Sequence, residues 1–222
     1  MKTITIPAKS TDLHNNPIVK VAGEDLSSAK AVVIMVHGRG ATADGILDLA
    51  NYFMFKGVSY IAPQAVGNIW YPYSFLVPLE INEPWISSAL QRLSEIVDYV
   101  DAAGIPEQKI MLLGFSQGAS LSLEWAARNS RQIAGVFALS GGIIGPPGLK
   151  REYSGSFTET SVFIGCSDVD FHIPKERVLE SADVFRSMNA NVTMRLYPNM
   201  AHTINDDEIE FVSSFLGTLL GR

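Results

Sequence analysis

Short apolar runs alternate with longer amphipathic stretches along most of the chain, and these patterns predict strands and helices respectively. The predicted strands are 3–6, 18–21, 31–36, 58–62, 109–115, 135–140, 161–166 and 191–197. The predicted helices are 44–55, 84–103, 117–129, 174–188 and 206–220. This alternation implies right-handed crossovers and an α/β fold, in which a mostly parallel central sheet carries helices on both faces.

The most apolar of these runs indicate strands that are covered on both sides. AVVIMV at 31–36 is rich in β-branched residues and contains no polar side chain, which is typical of a central parallel strand. In an open sheet of this kind the ligand site lies beyond the carboxyl ends of the strands. We therefore expect the chemistry in the loops that follow strands.

Length and composition favour one large core. The chain has 222 residues, of which 47% are hydrophobic and 18% charged. These values predict a single domain over 1–222, with no room for a large lid domain. The net charge of −6, without a run of Lys or Arg, disfavours nucleic acid as a partner.

The number of cysteines and the first residues of the sequence indicate the cellular compartment of the protein. Cys166 is the single cysteine, so no intrachain disulfide can form, and the start MKTITIPAKS lacks the apolar core of a signal peptide. No apolar run approaches the roughly 20 residues that span a bilayer. We expect a cytoplasmic protein without a membrane span, and the sequence leaves a homodimer open.

The sharpest chemical signal is GFSQG at 114–118, between a predicted buried strand and a predicted helix. This is the context of a nucleophile elbow, in which a strained turn projects the serine into the site and the flanking glycines avoid collisions. The motif predicts Ser116 as a nucleophile. The helix that follows would aim the backbone amide of Gln117 at the developing oxyanion.

A serine nucleophile requires a base, and the chain has four histidines. His14 and His37 precede Ser116, whereas in this kind of fold the order is serine, acid, histidine. His172 lies in the loop that should supply the acid. His202, which follows the last predicted strand, is therefore the predicted base.

Two aspartates compete for the acid in SDVDFHIP at 167–174, namely Asp168 and Asp170. They also alternate with Cys166 and His172, so an extended segment would present four candidate metal ligands on one side. Two carboxylates and a thiol in one short loop suit no common metal geometry. We therefore expect no metal site, and both aspartates remain candidates for the acid.

The loop HGRGAT at 37–42 follows a predicted strand and should supply a second oxyanion donor, the backbone amide of Arg39. Two interpretations of its side chain are open. A guanidinium at the mouth of the site would favour an acyl or alcohol group bearing a carboxylate or phosphate. Alternatively, Arg39 is solvated and only its backbone matters. His37 is expected to be structural.

Several of these motifs together resemble one family. GFSQGA, the HGRG loop, APQAVGNIWYPY at 62–73, the D-x-x-I-P of 170–174 and the turn of His202 are similar to the phospholipase/carboxylesterase family of α/β hydrolases, which includes the acyl-protein thioesterases. The resemblance runs from about residue 32 to the C-terminus. It implies the α/β-hydrolase fold and hydrolysis of esters or thioesters without a cofactor.

The resemblance also implies roles for individual residues. The family's acid, counted back from Pro174, falls on Asp170, which leaves Asp168 to shape the loop. Phe171 stands where the family has a proline. Trp70 and Tyr71 are placed near the acyl pocket.

These observations predict a carboxylesterase that acts on small-molecule esters with short to medium acyl groups. An acyl thioesterase or lysophospholipase is the alternative within the enzyme class, because the nucleophile would be the same. A protein that binds a small ligand on the hydrolase fold without catalysis is the alternative outside it. The intact set of Ser116, His202 and an aspartate disfavours the latter.

Overall fold

The computed structural model describes residues 2–8, 13–53, 55–158 and 160–222. Within these residues, eight strands form one sheet in the order β1-β2-β4-β3-β5-β6-β7-β8. The strands are β1 (Lys2–Thr5), β2 (Ile18–Gly23), β3 (Ala31–Val36), β4 (Val58–Pro63), β5 (Ile110–Phe115), β6 (Gly135–Leu139), β7 (Ser161–Ser167) and β8 (Asn191–Tyr197). β2 pairs antiparallel with β1 and β4, and the strands from β4 to β8 run parallel.

Helices connect the parallel strands. They are α1 (Ala43–Leu47), α2 (Ala50–Phe53), α3 (Trp85–Ala102), α4 (Gln117–Asn129), α5 (Lys175–Ser187) and α6 (Asp206–Leu219). Most predicted elements agree with these bounds to within one or two residues. None of the helices in the described residues has the length and apolar character needed to cross a membrane.

The prediction of one continuous helix over 44–55 is wrong. The segment forms two short helices, α1 and α2, and residue 54 lies outside the described residues. Between the helices the amide of Leu49 bonds to Ile46 and the amide of Tyr52 to Leu49, both three residues back. This tighter hydrogen-bond pattern interrupts the α-helical ladder, although the apolar spacing continues through it.

The alternation of side chains along β3 divides the core into two apolar layers. Val32, Ile34 and Val36 belong to the layer under α3, α4 and α5, while Val33 and Met35 belong to the layer under α1, α2 and α6. Every residue of β3 is buried because both faces are covered. This explains why the strand is an unbroken apolar run and confirms the predicted α/β fold with helices on both faces.

Candidate active site

Ser116 occupies a strained turn between the end of β5 and the start of α4. Its backbone has φ 55° and ψ −117°, a region that L residues rarely adopt. The amide of Ser116 donates to the carbonyl of Leu139 at the end of β6, 2.9 Å away. The turn therefore holds the Ser116 side chain at the carboxyl edge of the sheet.

The two glycines of GFSQG are required by close backbone contacts around this turn. A Cβ on Gly114 would lie 2.3 Å from the carbonyl oxygen of Gly118. A Cβ on Gly118 would lie 2.1 Å from the carbonyl oxygen of Val36. Any side chain at either position would separate α4 from β5 or from β3, so the elbow depends on both glycines.

His202 lies between Ser116 and Asp170. Its Nε2 is 2.9 Å from Ser116 Oγ, and its Nδ1 is 2.7 Å from Asp170 Oδ2. The rings of Phe115 and His172 pack against the imidazole, with centroids 5.1 Å and 4.8 Å away. The structure thus brings together Ser116 and His202, the predicted nucleophile and base, with Asp170, one of the two candidates for the acid.

Asp170 is buried and its second oxygen accepts backbone amides. Oδ1 lies 2.8 Å from the amide nitrogen of His172 and 3.1 Å from that of Ile173. Burial opposes ionisation of Asp170, but the hydrogen bonds from His202 and from these two amides outweigh it and hold the pKa of Asp170 below its ordinary value. The carboxyl group is therefore an anion aimed at Nδ1 of His202.

Asp168 contacts the turn that leads to His202. Its Oδ1 accepts the amide of Asn199 at 2.8 Å, and its own amide donates to the carbonyl of Tyr197 at 3.1 Å. Asn199 has φ 54°, so the turn is tightly bent at that residue. These contacts connect the loop after β7 with the loop after β8.

The other residues considered as metal ligands do not form a cluster with these aspartates. Within the described parts of the chain, no group of three or more His, Cys, Asp or Glu side chains is arranged to hold a metal ion. Cys166 Sγ is 3.8 Å from Asp170 Oδ2, and burial raises the pKa of its thiol to about 12. Cys166 is thus a protonated core residue.

The loop after β3 lies beside Ser116, since a Cβ on Gly38 would be 3.4 Å from Ser116 Cβ. It carries the amide of Arg39, and α4 begins with the amide of Gln117. Neither amide donates to an acceptor in the described residues. Both remain available to a negatively charged oxygen beside Ser116.

His37 holds this loop in place through hydrogen bonds to backbone. The imidazole is fully buried, its Nδ1 lies 2.8 Å from the carbonyl of Gly38, and its Nε2 accepts the amide of Ala65 at 3.1 Å. Burial lowers the pKa of His37, so it is a neutral ring. Both ring nitrogens bond to backbone, which gives His37 a structural role.

Trp70, which the resemblance places near the acyl pocket, is not among the residues that line the cavity beside Ser116. Its ring is fully buried, and the indole N–H donates to the carbonyl of His37 at 2.9 Å. The side chain of Gln117 accepts the amide of Trp70 at 2.9 Å and donates to the carbonyl of Tyr71 at 2.8 Å. The sequence predicts a role only for the backbone amide of Gln117, and no sequence pattern predicts these contacts of its side chain.

A cavity of about 460 Å³ opens beside Ser116. Tyr71, which the resemblance places near the acyl pocket, lines this cavity, although its ring is almost entirely buried. The remaining lining residues come from the end of β5, the start of α4 and the loops after β3, β4, β7 and β8, and they are Gly38, Arg39, Ala41, Pro72, Tyr73, Ser74, Phe75, Phe115, Gln117, Ser120, His172, Ile173 and His202. The wall is therefore a mixture of aromatic, hydroxyl and amide groups.

Comparison with known proteins shows the family of this chain. The sequence profile of the phospholipase/carboxylesterase family matches residues 17–220. The chain belongs to the phospholipase/carboxylesterase family. A crystal structure of a phospholipase/carboxylesterase from Dyadobacter fermentans is 42% identical, covers 91% of this chain and 95% of that one, and superposes with a TM-score of 0.85.

More distant similarities extend the comparison. Acyl-protein thioesterase 1 of Saccharomyces cerevisiae is 27% identical over 213 residues, which cover 86% of this chain and 93% of that protein. The carboxylesterase of Bacillus cereus superposes with a TM-score of 0.70 over 90% of this chain and 93% of that one, and at 20% identity this likeness shows the fold alone. Membership places the chain among hydrolases of esters and thioesters.

The carboxyl group of Glu208 takes no part in the hydrogen bonds that join Ser116, His202 and Asp170. Glu208 is fully buried in the first turn of α6, where its Oε2 accepts the amide of Asn205 at 3.0 Å. Its Oε1 has no partner in the described residues, and a Cβ on Gly165 would lie 2.1 Å from it. Burial raises the pKa of Glu208 to about 7.

We expect the Glu208 carboxyl to destabilise the fold as pH rises. An unfolded Glu ionises near its ordinary pKa of 4.5, whereas the folded chain keeps the proton up to about pH 7. The contribution of Glu208 is therefore fully favourable below pH 4.5 and is lost as pH rises to about 7, a change on the order of 3 kcal/mol. Glu208→Gln keeps the acceptor for Asn205 and removes the titration. Denaturant unfolding of both proteins across this range should show the native chain losing stability relative to Glu208→Gln as pH rises, and a difference that does not change with pH would contradict the assignment.

Proposed function

We propose that this chain is a serine hydrolase of carboxylic esters with short to medium acyl groups. The observation that supports it most strongly is the continuous hydrogen-bonded line from Ser116 Oγ through His202 to Asp170, on the wall of a cavity. A neutral imidazole with Nδ1–H bonded to an anionic carboxylate presents a lone pair on Nε2 to the serine hydroxyl. This is the arrangement that a serine nucleophile requires.

In the acylation step, Ser116 Oγ attacks the carbonyl carbon while Nε2 of His202 takes the hydroxyl proton. The carbonyl oxygen becomes an anion and accepts hydrogen bonds from the amides of Arg39 and Gln117. The positive end of α4 stabilises the same charge. Asp170 stabilises the imidazolium that forms on His202.

The intermediate then collapses. The bond between the carbonyl carbon and the leaving oxygen breaks, and His202 delivers its proton to that oxygen. Water next attacks the acyl group on Ser116, His202 accepts a proton from the water, and Ser116 regains it as the acid departs. The proposed cycle consumes one ester and one water and needs no cofactor.

Thioester hydrolysis is the second candidate, because relatives such as the yeast protein are named acyl-protein thioesterases. Both reactions pass through the same tetrahedral intermediate, so the leaving group decides between them. An oxygen ester and a thioester with the same acyl group should be compared by kcat/KM. A higher value on the oxygen ester supports the carboxylesterase, and a higher value on the thioester supports the alternative.

A fluorophosphonate probe separates an enzyme from a protein that only binds a ligand. The probe reacts with a serine that an adjacent base activates. We expect labelling at Ser116 in the native chain, located by peptide mass spectrometry, and none in Ser116→Ala. A native chain that stays unlabelled and hydrolyses no ester or thioester would contradict the proposed function.

We expect butyryl and octanoyl esters to be better substrates than palmitoyl esters. A long alkyl chain would have to cover the polar groups of Arg39, Ser74 and Ser120 in the cavity, which removes water from them without replacing its hydrogen bonds. The measurement is kcat/KM on a series of esters with one leaving group, kept below their micelle concentrations. A higher kcat/KM for palmitoyl than for butyryl would overturn this expectation and favour the thioesterase.

A further inference from the structure

The side chain of Arg39 is fixed on the cavity wall by backbone carbonyls. Its Nη1 donates to the carbonyl of Pro72 at 2.8 Å and its Nη2 to the carbonyl of Tyr73 at 2.7 Å. The guanidinium carbon lies 5.9 Å from the centroid of the Tyr71 ring. The guanidinium therefore has a defined position before any ligand arrives, which lowers the entropy cost of binding.

Among the residues that the structure describes, the charge of Arg39 has no counter-ion. Its acceptors are two neutral carbonyls, and no carboxylate in the described residues forms an ion pair with it. It is also the one Lys, Arg, Asp or Glu among the described residues that line the cavity. A chain with a net charge of −6 thus presents an unpaired cation at this wall. A guanidinium carries more N–H donors than these carbonyls use, so it can still bond to a planar anion.

The order of strands indicates which part of an ester would meet Arg39. The loops after β3 and β4, with Arg39 and Tyr73, lie on one side of β5 and Ser116, while the loops after β7 and β8 lie on the other. The leaving group must reach His202, which follows β8. The acyl group therefore extends toward the opposite wall, where Arg39 stands.

We propose that Arg39 binds a carboxylate carried by the acyl group, so that the preferred substrates are half-esters of short dicarboxylic acids. The guanidinium matches a carboxylate in shape and charge, and the positive end of α4 adds to the attraction. This inference rests on the proposed function. It extends that function by naming an anionic acyl class.

The test compares two methyl esters in a pH-stat: monomethyl glutarate, and the matched ester in which a carboxamide replaces the distal carboxylate. We expect kcat/KM in the native chain to be higher for the anionic ester by about tenfold to a hundredfold, the value of a hydrogen bond to a charged group. Arg39→Gln should bring the ratio close to one. Arg39→Lys should restore part of it, since the charge returns without the planar fork.

A third ester places the anion elsewhere: an acetyl ester whose alcohol carries a carboxylate or phosphate. Preference for it over monomethyl glutarate would overturn the assignment of Arg39 to the acyl side. Equal rates on the anionic and neutral glutaryl esters in the native chain would overturn the inference while leaving the proposed function intact. Failure to hydrolyse any ester or thioester would instead overturn the proposed function. If Arg39→Gln does not fold, the native chain alone still tests the inference. The ratio of kcat/KM for the anionic ester to that for the neutral ester should exceed one and should decrease with added salt.

Discussion

Replacing Ser116 by Ala should lower kcat by roughly 10⁴-fold or more, because no other group can form the acyl intermediate. The fold should be retained. The side chain of Ser116 forms one hydrogen bond, to Nε2 of His202, while the turn itself is held by its backbone and by Gly114 and Gly118. Turnover of a butyryl ester and thermal unfolding, measured on the same preparation, check both parts of this expectation.

Ser122→Ala provides the matched control for this variant. Ser122 is a buried serine of α4, the helix that follows Ser116. Its hydroxyl donates to the carbonyl of Gly118 at 2.8 Å, and it does not line the cavity. Its loss should change activity by no more than severalfold. If Ser116→Ala keeps most of the native rate, or if both variants lose activity equally, Ser116 is not the nucleophile.

The parts of the fold that follow from local pattern were predictable from the sequence. β3 is apolar throughout because helices cover both of its faces, and that run is visible without any tertiary information. The elbow was predictable for the same reason. Strand, turn and helix are contiguous in sequence. The glycines at 114 and 118 indicate that no Cβ fits at these positions of the turn.

The surroundings of the elbow were not predictable in this way, because they depend on two loops that follow neighbouring strands. The Arg39 side chain meets carbonyls that lie more than 30 residues further along the chain, and the side chain of Gln117 bonds to the backbone of Trp70 and Tyr71. The pattern of hydrophobic and polar residues does not predict contacts between loops that are so far apart in the sequence. The resemblance places Trp70 near the acyl pocket, but it does not predict that the indole N–H donates to the carbonyl of His37.

The two aspartates show the same limit on a shorter scale. The loop offers both Asp168 and Asp170, and a linear count does not give the direction of either side chain. Only the family resemblance, counted back from Pro174, favours Asp170. In the structure the Asp170 carboxylate bonds to the His202 imidazole, and Asp168 bonds to the backbone of Asn199. The first would act on His202 directly and the second through the turn that carries it.

Asp170→Asn should therefore cost about 10⁴ in kcat, because a carboxamide that keeps the amides of His172 and Ile173 on its oxygen turns its NH₂ toward Nδ1. The imidazole must then accept at Nδ1 and carry its proton on Nε2, where it cannot receive the proton of Ser116. Circular dichroism and thermal unfolding should show that the variant is folded.

Asp168→Asn is the matched control, since its amide oxygen can still accept the N–H of Asn199. We expect Asp168→Asn to lose less than about tenfold in kcat. The substitution only replaces a hydrogen bond to a charged carboxylate by a weaker one to a neutral amide. Measuring kcat and KM for both variants on one butyryl ester ranks the two aspartates. The reverse ranking would assign the acid to Asp168. Equal large losses would mean that the loops after β7 and β8 act as one hydrogen-bonded unit, in which neither carboxylate alone sets the tautomer of His202.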